Sequence, residues 1–303
     1  MGGIAANVVG LLDGGAQSKV YSSLDGPIDN LSILRKSLLF AELSNISYLS
    51  RTEAGYLAYE IGLPEIRYYD NDGAQAYIFA NKWDTVVTCR GTQPDDWNDL
   101  KADLDLQRAN AETVGWVHRG FKQEVDDLWP RLEQALVNNT RTLWFAGHSL
   151  GAAMAAICAG RCKLSYIKSN PHALFTYGSP RVGNQRYVNF CQLEAYRWVN
   201  NNDIVTRVPP AWLGFRHKGQ EVYLNADGKI RRLTWFQRVK DRWRGFFRGL
   251  KDRSFDPFSD HSITQYVAHI RAAVEEDEAI ALRPTYGTNP RFAPPAAPLR
   301  RAA

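Results

Sequence analysis

The sequence predicts an α/β protein with a mostly parallel central sheet flanked by helices. Short apolar runs that end near turn-forming residues predict strands, and apolar residues three and four positions apart predict helices. The predicted strands cover residues 75–80, 83–89, 142–146, 173–177 and 196–200, and the predicted helices cover 28–50, 119–138, 150–165, 184–194 and 260–282. Because strands and helices alternate along the chain, most strands are expected to run parallel.

Length and composition predict one globular domain. The chain has 303 residues, of which 45% are hydrophobic and 23% charged, as in ordinary globular proteins. We expect a single domain over residues 1–282, with a basic amphipathic insertion at about 231–258. Residues 283–303 contain five prolines and little periodicity, so they are predicted to form a disordered tail.

The positive charge is concentrated in two segments. The net charge is +5, yet residues 231–253 hold nine lysines and arginines against two aspartates, and residues 283–303 hold four arginines and no acid. The rest of the chain is therefore acidic. This distribution argues against nucleic-acid binding by the protein as a whole.

The cysteines and the N-terminal residues indicate the compartment. No histidine lies at ligand spacing from the four cysteines, so we interpret all four as small buried residues and expect no metal site. Residues 1–19 lack the early positive charge of a signal peptide. We therefore expect a cytoplasmic or peripheral membrane location, with secretion by another route left open.

The uncharged stretch 142–160 contains turn formers at its centre, which argues against a membrane span.

A serine flanked by glycines stands between a predicted strand and a predicted helix. The motif is Gly147-His148-Ser149-Leu150-Gly151. Such a corner exposes the serine hydroxyl, and the glycines avoid collisions with the neighbouring strand and helix. The N–H of the residue after the serine is free to stabilise developing negative charge. Ser149 is therefore the candidate nucleophile.

A serine nucleophile requires a histidine base and a carboxylate, usually in the order Ser, acid, His in this kind of fold. The histidines after Ser149 are His172, His217, His261 and His269. His261 lies where a loop meets a helix start, which suits a base presented over a sheet edge. His217 is interpreted as structural, and His269 as a residue within the last helix.

The candidate acid is Asp203. It follows a predicted strand, at the edge where parallel sheets collect their functional residues. Asp256 and Asp260 are alternatives, although both lie so close to His261 in sequence that independent positioning is harder.

Several motifs together resemble the class 3 lipases, the α/β-hydrolase family that includes the filamentous-fungal triacylglycerol lipases. They occur in the family's order over roughly residues 30–275 and are found at 89–92, 117–121, 147–151, 177–184, 202–205 with 208–210, and 260–261. The string 177–184, Tyr-Gly-Ser-Pro-Arg-Val-Gly-Asn, is the most specific. The resemblance implies an α/β-hydrolase fold without a cofactor.

The resemblance also implies roles for individual residues. Ser149 would be the nucleophile, Asp203 the acid and His261 the base, and the backbone N–H groups of Thr92 and Leu150 would form the oxyanion hole. The disulfides of the secreted fungal members have no counterpart in this sequence, which argues against an extracellular location.

A short helix after residue 92 is the expected lid. Trp97, Leu100 and Leu104 would share one helical face, with acidic residues mostly around the rest. Such a flap could cover the pocket and open at an oil surface. The alternative is a fixed surface helix.

The basic insertion predicts contact with an anionic membrane. In a helix over residues 235–251, aromatic and aliphatic residues would share one face of roughly 120°, and basic residues would occupy the rest of the surface. The expected membrane-contact residues are Trp235, Phe236, Trp243, Phe246 and Phe247. The alternative is a helix that packs on the domain and exposes its basic face.

Taken together, these features predict a serine carboxylic-ester hydrolase of the lipase type, which cleaves acylglycerol-like esters through an acyl-enzyme. A phospholipase and a feruloyl-type esterase are alternatives within the hydrolases. A non-catalytic, membrane-docked protein with a lipase fold is the alternative from another class. The sequence does not determine the oligomeric state.

Overall fold

A computed structural model describes residues 19–91, 107–112, 114–164, 170–231 and 259–281. Nine strands occur within these residues: β1 Glu65–Asn71, β2 Ala74–Ala80, β3 Asp84–Cys89, β4 Arg108–Asn110, β5 Trp116–His118, β6 Thr142–His148, β7 Pro171–Tyr177, β8 Glu194–Asn200 and β9 Gln220–Leu224. Seven of them form one sheet in the order β1-β2-β3-β6-β7-β8-β9, and β4 and β5 form a separate hairpin. The pairs from β3 to β9 are parallel and the two pairs among β1, β2 and β3 are antiparallel. The predicted mostly parallel sheet is confirmed.

Helices cover both faces of the sheet. They are α1 Ile33–Ile46, α2 Arg51–Ile61, α3 Arg119–Leu136, α4 Leu150–Leu164, α5 Gln185–Phe190 and α6 Ile263–Ala281. One apolar core lies between the sheet and helices α3 and α4, and a second lies between the opposite face and helices α1, α2 and α6. Both faces of the central strands are therefore buried, as expected for parallel strands.

The first helix begins later than its apolar pattern predicts. Residues 28–30 form a single 3₁₀ turn, and α1 starts at Ile33 because the Ser32 hydroxyl accepts a hydrogen bond from the Arg35 N–H. The predicted single helix over 28–50 is therefore wrong at both ends. The predicted helix 184–194 is also too long, since α5 covers only six residues.

Two elements near the start of the sheet were not predicted. Helix α2 begins with a capping box, in which Ser50 and Glu53 bond each other's backbone N–H, and ends at Gly62 with a φ of 96°. Strand β1 is an edge strand with partly exposed side chains, so it lacks the apolar run that marks a buried strand.

Two further findings concern the membrane and the cysteines. Among the described residues, no helix combines the length and apolarity required to cross a membrane. All four cysteines are free and buried, as the interpretation of the sequence expected.

Candidate active site

Ser149 occupies the sharp corner between β6 and α4. Its φ is 62°, in the left-handed region that a residue with a side chain adopts only when its surroundings impose it. The Ser149 N–H donates to the Tyr177 carbonyl at 3.0 Å, and the Ser149 carbonyl accepts from the Ala152 N–H at 3.0 Å. The corner is thus held from β7 on one side and from the first turn of α4 on the other.

The two glycines of the motif are required by close backbone contacts. A Cβ on Gly147 would lie 2.4 Å from the Gly151 carbonyl oxygen, and a Cβ on Gly151 would lie 2.2 Å from the Cys89 carbonyl oxygen. No side chain fits at these distances. Both glycines therefore allow α4 to approach β3 and β6 closely enough to form the corner.

His261 and Asp203 form a buried pair at the same edge of the sheet. The His261 Nδ1–H donates to both carboxylate oxygens of Asp203, each at 3.0 Å. Asp203 is fully buried and His261 is almost fully buried. Because Nδ1 carries the proton that Asp203 accepts, the neutral ring has its lone pair on Nε2, the nitrogen that can accept a proton from a serine.

Two further donors hold the Asp203 carboxylate. The Tyr266 hydroxyl donates to Oδ2 at 2.7 Å, and the Val205 N–H donates to Oδ1 at 2.9 Å. The Tyr266 hydroxyl in turn accepts from the Asn200 N–H at 2.9 Å. Burial, followed by the Asp203 charge, raises the pKa of Tyr266 well above its ordinary value, so Tyr266 remains a donor. Sequence reasoning missed this role of Tyr266, which lies 63 residues from Asp203.

Gly178 allows the His261–Asp203 pair to pack against the backbone after β7. A Cβ on Gly178 would lie 2.7 Å from Asp203 Oδ2 and 2.8 Å from His261 Nδ1, and its φ is 59°. This glycine belongs to the specific string 177–184. It directly follows Tyr177, whose carbonyl accepts from the Ser149 N–H. Ser149 after β6, Asp203 after β8 and His261 before α6 therefore all lie beside the end of β7.

Asp260, one of the alternatives to Asp203, has other partners. Its carboxylate accepts from the Asn202 N–H at 3.1 Å and from the Asn201 side-chain amide at 3.3 Å. Burial is the main cause that raises the pKa of Asp260. The carboxylate thus holds the loop that carries Asp203, while Asp203 bonds the histidine.

The other candidate histidines make separate contacts. The His217 Nε2–H donates to the Thr206 carbonyl at 3.0 Å, and burial lowers the His217 pKa to about 2. His269 bonds the Asn200 side chain, and His172 lies beside Trp144 and Asp29. None of the three contacts Asp203 in the described part of the chain.

His148 links the base to the opposite side of the site. Its Nε2–H donates to the His261 backbone carbonyl at 2.7 Å, and its Nδ1 accepts from the Tyr48 hydroxyl at 2.9 Å. Burial, and then the nearby His261, lowers the His148 pKa well below its ordinary value, so the ring is neutral. The Tyr48 hydroxyl also accepts a hydrogen bond from the Gly91 N–H. Gly91 lies two residues after β3 and packs against Ser149.

The Tyr48→Phe variant tests whether this linkage positions the site. Removing the hydroxyl leaves His148 Nδ1 and the Gly91 N–H without this partner, and an unmade buried hydrogen bond costs about 1–3 kcal/mol. We expect kcat for ester hydrolysis to fall roughly 5- to 100-fold, with KM little changed, because the loss affects the geometry of reacting groups.

Tyr56→Phe is the matched control for this substitution, since Tyr56 is an exposed tyrosine on α2. Steady-state kinetics on a soluble ester would measure both variants. Equal kcat values for Tyr48→Phe and the parent would contradict the positioning role.

Several predicted residues lie outside the described part of the chain. They are Thr92 of the expected oxyanion hole, the lid residues Trp97, Leu100 and Leu104, the alternative acid Asp256, and the membrane-contact residues Trp235, Phe236, Trp243, Phe246 and Phe247. Leu150, the other expected oxyanion donor, is described as the first residue of α4. The N–H groups in a helix's first turn have no partner within the helix.

Metal ligation has no candidate among the described residues, since no three histidine, cysteine, aspartate or glutamate side chains form a group that could hold an ion. The arrangement at the sheet edge is instead that of a serine, an oriented histidine and a buried carboxylate. Such groups perform acyl transfer without a cofactor.

The sheet, the strand–serine–helix corner and the His–Asp pair define a protein of the α/β-hydrolase fold. Residues 86–212 match the model of the lipase (class 3) family. This stretch of the chain is therefore similar to the class 3 lipase family.

Similar proteins include fungal and bacterial members. The chain is 34% identical over 119 residues to a secreted mono- and diacylglycerol lipase of Fusarium solani, covering 36% of this chain and 34% of the relative. It is 38% identical over 117 residues to the toxin TseL of Vibrio cholerae, covering 37% of this chain and 18% of the toxin. The matched region thus spans 34% of the first relative and 18% of the second.

A solved structure shows the same fold. The triacylglyceride lipase of Rhizomucor miehei aligns with a TM-score of 0.55 at 22% identity, over 63% of this chain and 80% of that one. At this level of identity the likeness concerns the fold.

Proposed function

We propose that the chain is a serine ester hydrolase of the lipase type, in which Ser149, His261 and Asp203 act together. The observation that carries the proposal is the His261–Asp203 pair, joined by two 3.0 Å hydrogen bonds at the sheet edge where Ser149 is held at a φ of 62°. A buried histidine with an oriented Nδ1–H is the arrangement that activates a serine hydroxyl.

The proposed reaction proceeds in two halves. The Ser149 Oγ adds to the ester carbonyl carbon as His261 Nε2 takes the hydroxyl proton, and the carbonyl oxygen becomes an oxyanion near the N–H groups of Leu150 and Thr92. As the intermediate collapses, His261 returns the proton to the leaving alcohol, which gives an acyl-Ser149. A water molecule then loses a proton to His261 and attacks the acyl carbon. The second intermediate collapses as His261 returns this proton to Ser149 Oγ, which releases the fatty acid and restores the serine.

Acylglycerol-like esters are the proposed substrates. Support comes from the relatives, since the Fusarium solani protein is named a mono- and diacylglycerol lipase and the Rhizomucor miehei protein a triacylglyceride lipase. Phospholipids and feruloyl esters are the alternative substrates, because the choice among esters depends on pocket shape. A cytoplasmic or peripheral membrane location is proposed with it, supported by four free, buried cysteines.

The experiment that tests this function is hydrolysis of p-nitrophenyl esters from acetyl to palmitoyl, with triacylglycerol, phospholipid and feruloyl esters measured in parallel. We expect turnover with a preference for acylglycerols and longer acyl chains. A preference for phospholipid or feruloyl esters would change the proposed substrate class and leave the proposed serine hydrolase mechanism in place. A folded protein with no turnover on any ester would contradict the proposal and favour a non-catalytic binding protein.

We also propose that residues 235–251 contact an anionic membrane, on the strength of their aromatic face and basic remainder. Deleting residues 231–255 should weaken binding to anionic vesicles and leave hydrolysis of short soluble esters largely intact. Unchanged vesicle binding would overturn this role.

A further inference from the structure

The loop that follows Asp203 exposes a tryptophan. It contains a 3₁₀ turn at Ala211–Leu213 after two consecutive prolines, and the Trp212 side chain at its tip is 82% exposed. Within the described residues, no other large apolar side chain is as exposed. Burying a side chain of this size is favourable, so Trp212 offers a contact area to an external apolar or interfacial surface.

Hydrogen bonds from arginines fix the loop in this conformation. Arg181 donates to the carbonyls of Pro209, at 2.9 Å, and of Arg207. Arg108 donates to the Leu213 carbonyl at 2.7 Å, and Arg216 donates to the Ala211 carbonyl at 2.8 Å. Contacts before and after Trp212 therefore hold the tip outward.

The base of the loop is also anchored. Phe215 is fully buried, and its ring packs edge-on against Trp116 with centroids 4.8 Å apart. At the other end, the Val205 N–H bonds Asp203. The exposed tryptophan thus belongs to a supported loop that begins at the candidate acid.

The loop is surrounded by positive charge. We call Arg108, Arg181, Arg207 and Arg216 the basic collar. Residues 204–219 contain two arginines, one lysine and no acidic residue. Arg108, Arg181 and Arg216 form no ion pair with a carboxylate in the described part of the chain, since their guanidinium groups bond backbone carbonyls. The charge of Arg108, Arg181 and Arg216 is therefore available to an external anion.

The position of the loop relates it to the site. It leaves the sheet after β8, at the edge where Ser149 and the His261–Asp203 pair lie. An exposed tryptophan with arginines around it matches the chemistry of a lipid headgroup region, where an indole ring lies at the interface and cations attract anionic headgroups.

We propose that Trp212 and the basic collar dock the protein on an anionic lipid surface, with the sheet edge that carries Ser149 facing the lipid. This inference rests on the proposed lipid-ester function and adds a docking site separate from residues 235–251. It identifies the partner as a bilayer or lipid particle with negatively charged headgroups.

The test is co-sedimentation of the full chain with vesicles of phosphatidylcholine alone or of phosphatidylcholine and phosphatidylglycerol in equal parts. Three variants are compared with the parent: Trp212→Ser, Trp212→Phe and the control Tyr59→Ser. Tyr59 is 67% exposed on α2, which packs against β1, the outermost strand and the one farthest in strand order from β8 and β9. Circular dichroism and hydrolysis of soluble p-nitrophenyl butyrate monitor folding.

We expect Trp212→Ser to weaken binding to the anionic vesicles about 10-fold or more, Trp212→Phe to weaken it less, and Tyr59→Ser to leave it unchanged. We expect phosphatidylcholine alone to bind weakly, and salt to weaken anionic binding. The docking site would be overturned if Trp212→Ser bound the vesicles as tightly as the parent, or if Tyr59→Ser lost as much binding as Trp212→Ser. It would also be overturned if the parent bound no vesicles. Equal binding of the parent to both vesicle types would overturn the role of the basic collar.

Soluble-ester hydrolysis is measured on the same samples, so the two proposals fail separately. If the parent binds anionic vesicles through Trp212 but hydrolyses no ester, the docking proposal stands and the proposed ester hydrolase function is refuted.

Discussion

The Ser149→Ala variant is expected to lose ester hydrolysis by about six orders of magnitude in kcat while keeping its fold. In other serine hydrolases, loss of the nucleophile alone removes roughly 10⁶ in kcat, since the remaining groups cannot form the acyl-enzyme. Steady-state turnover of p-nitrophenyl butyrate would measure the loss. The substitution should not unfold the protein, because Ser149 Oγ makes no hydrogen bond to any described residue.

The Ser44→Ala variant is the matched control. Ser44 is also fully buried, but its hydroxyl bonds the Phe40 carbonyl within α1. We expect it to retain activity close to the parent's. Residual activity of Ser149→Ala within 10-fold of the parent's would show that another residue is the nucleophile.

The Asp203→Asn variant is expected to lower kcat by about four orders of magnitude. An asparagine amide can donate a hydrogen bond to His261 Nδ1, which would leave the proton on Nε2, the nitrogen that must accept it from the serine. The same change in a serine protease costs about 10⁴ in kcat. Because Tyr266 and Val205 donate to different oxygens of Asp203, the asparagine oxygen can keep only one of these two bonds, so circular dichroism is measured to check the fold.

Asp260→Asn is the comparison that separates the two neighbouring carboxylates. Its amide oxygen can still accept from the Asn202 N–H, so we expect activity within a few-fold of the parent's. Near-normal kcat in Asp203→Asn would contradict the assignment and point to Asp260 or Asp256 instead.

The buried strands of the fold can be predicted from the sequence, whereas the partly exposed strand β1 cannot. Strands β3, β6 and β7 lie between two cores and therefore appear as apolar runs. Strand β1 has no fully buried residue and, among the described strands, pairs with β2 alone, so its sequence does not distinguish it from a loop. Helix α2 could have been found by its start signal, since Ser50 and Glu53 are spaced for a capping box.

The predicted core of the site depended on local motifs, and its supporting contacts depend on distant residues. The Ser149 corner is specified by glycines two positions away, so the sequence identifies it directly. The bond between Tyr48 and His148 joins residues 100 positions apart, and no spacing in the sequence indicates it. The hydrogen bond from Tyr266 to Asp203 likewise joins residues that are far apart in the sequence. Gly178 is visible as part of a motif, but its function emerges only when His261 and Asp203 are found packed against it.

The most direct test of the central claim is covalent titration of the folded chain with a p-nitrophenyl alkylphosphonate, which traps an activated serine as a stable adduct. If Ser149 is the activated nucleophile, we expect release of one equivalent of p-nitrophenolate per chain, a mass increase on the peptide that contains Ser149, and a much slower reaction in Asp203→Asn. An adduct on a different residue, or no adduct in the folded parent, would contradict the role of Ser149.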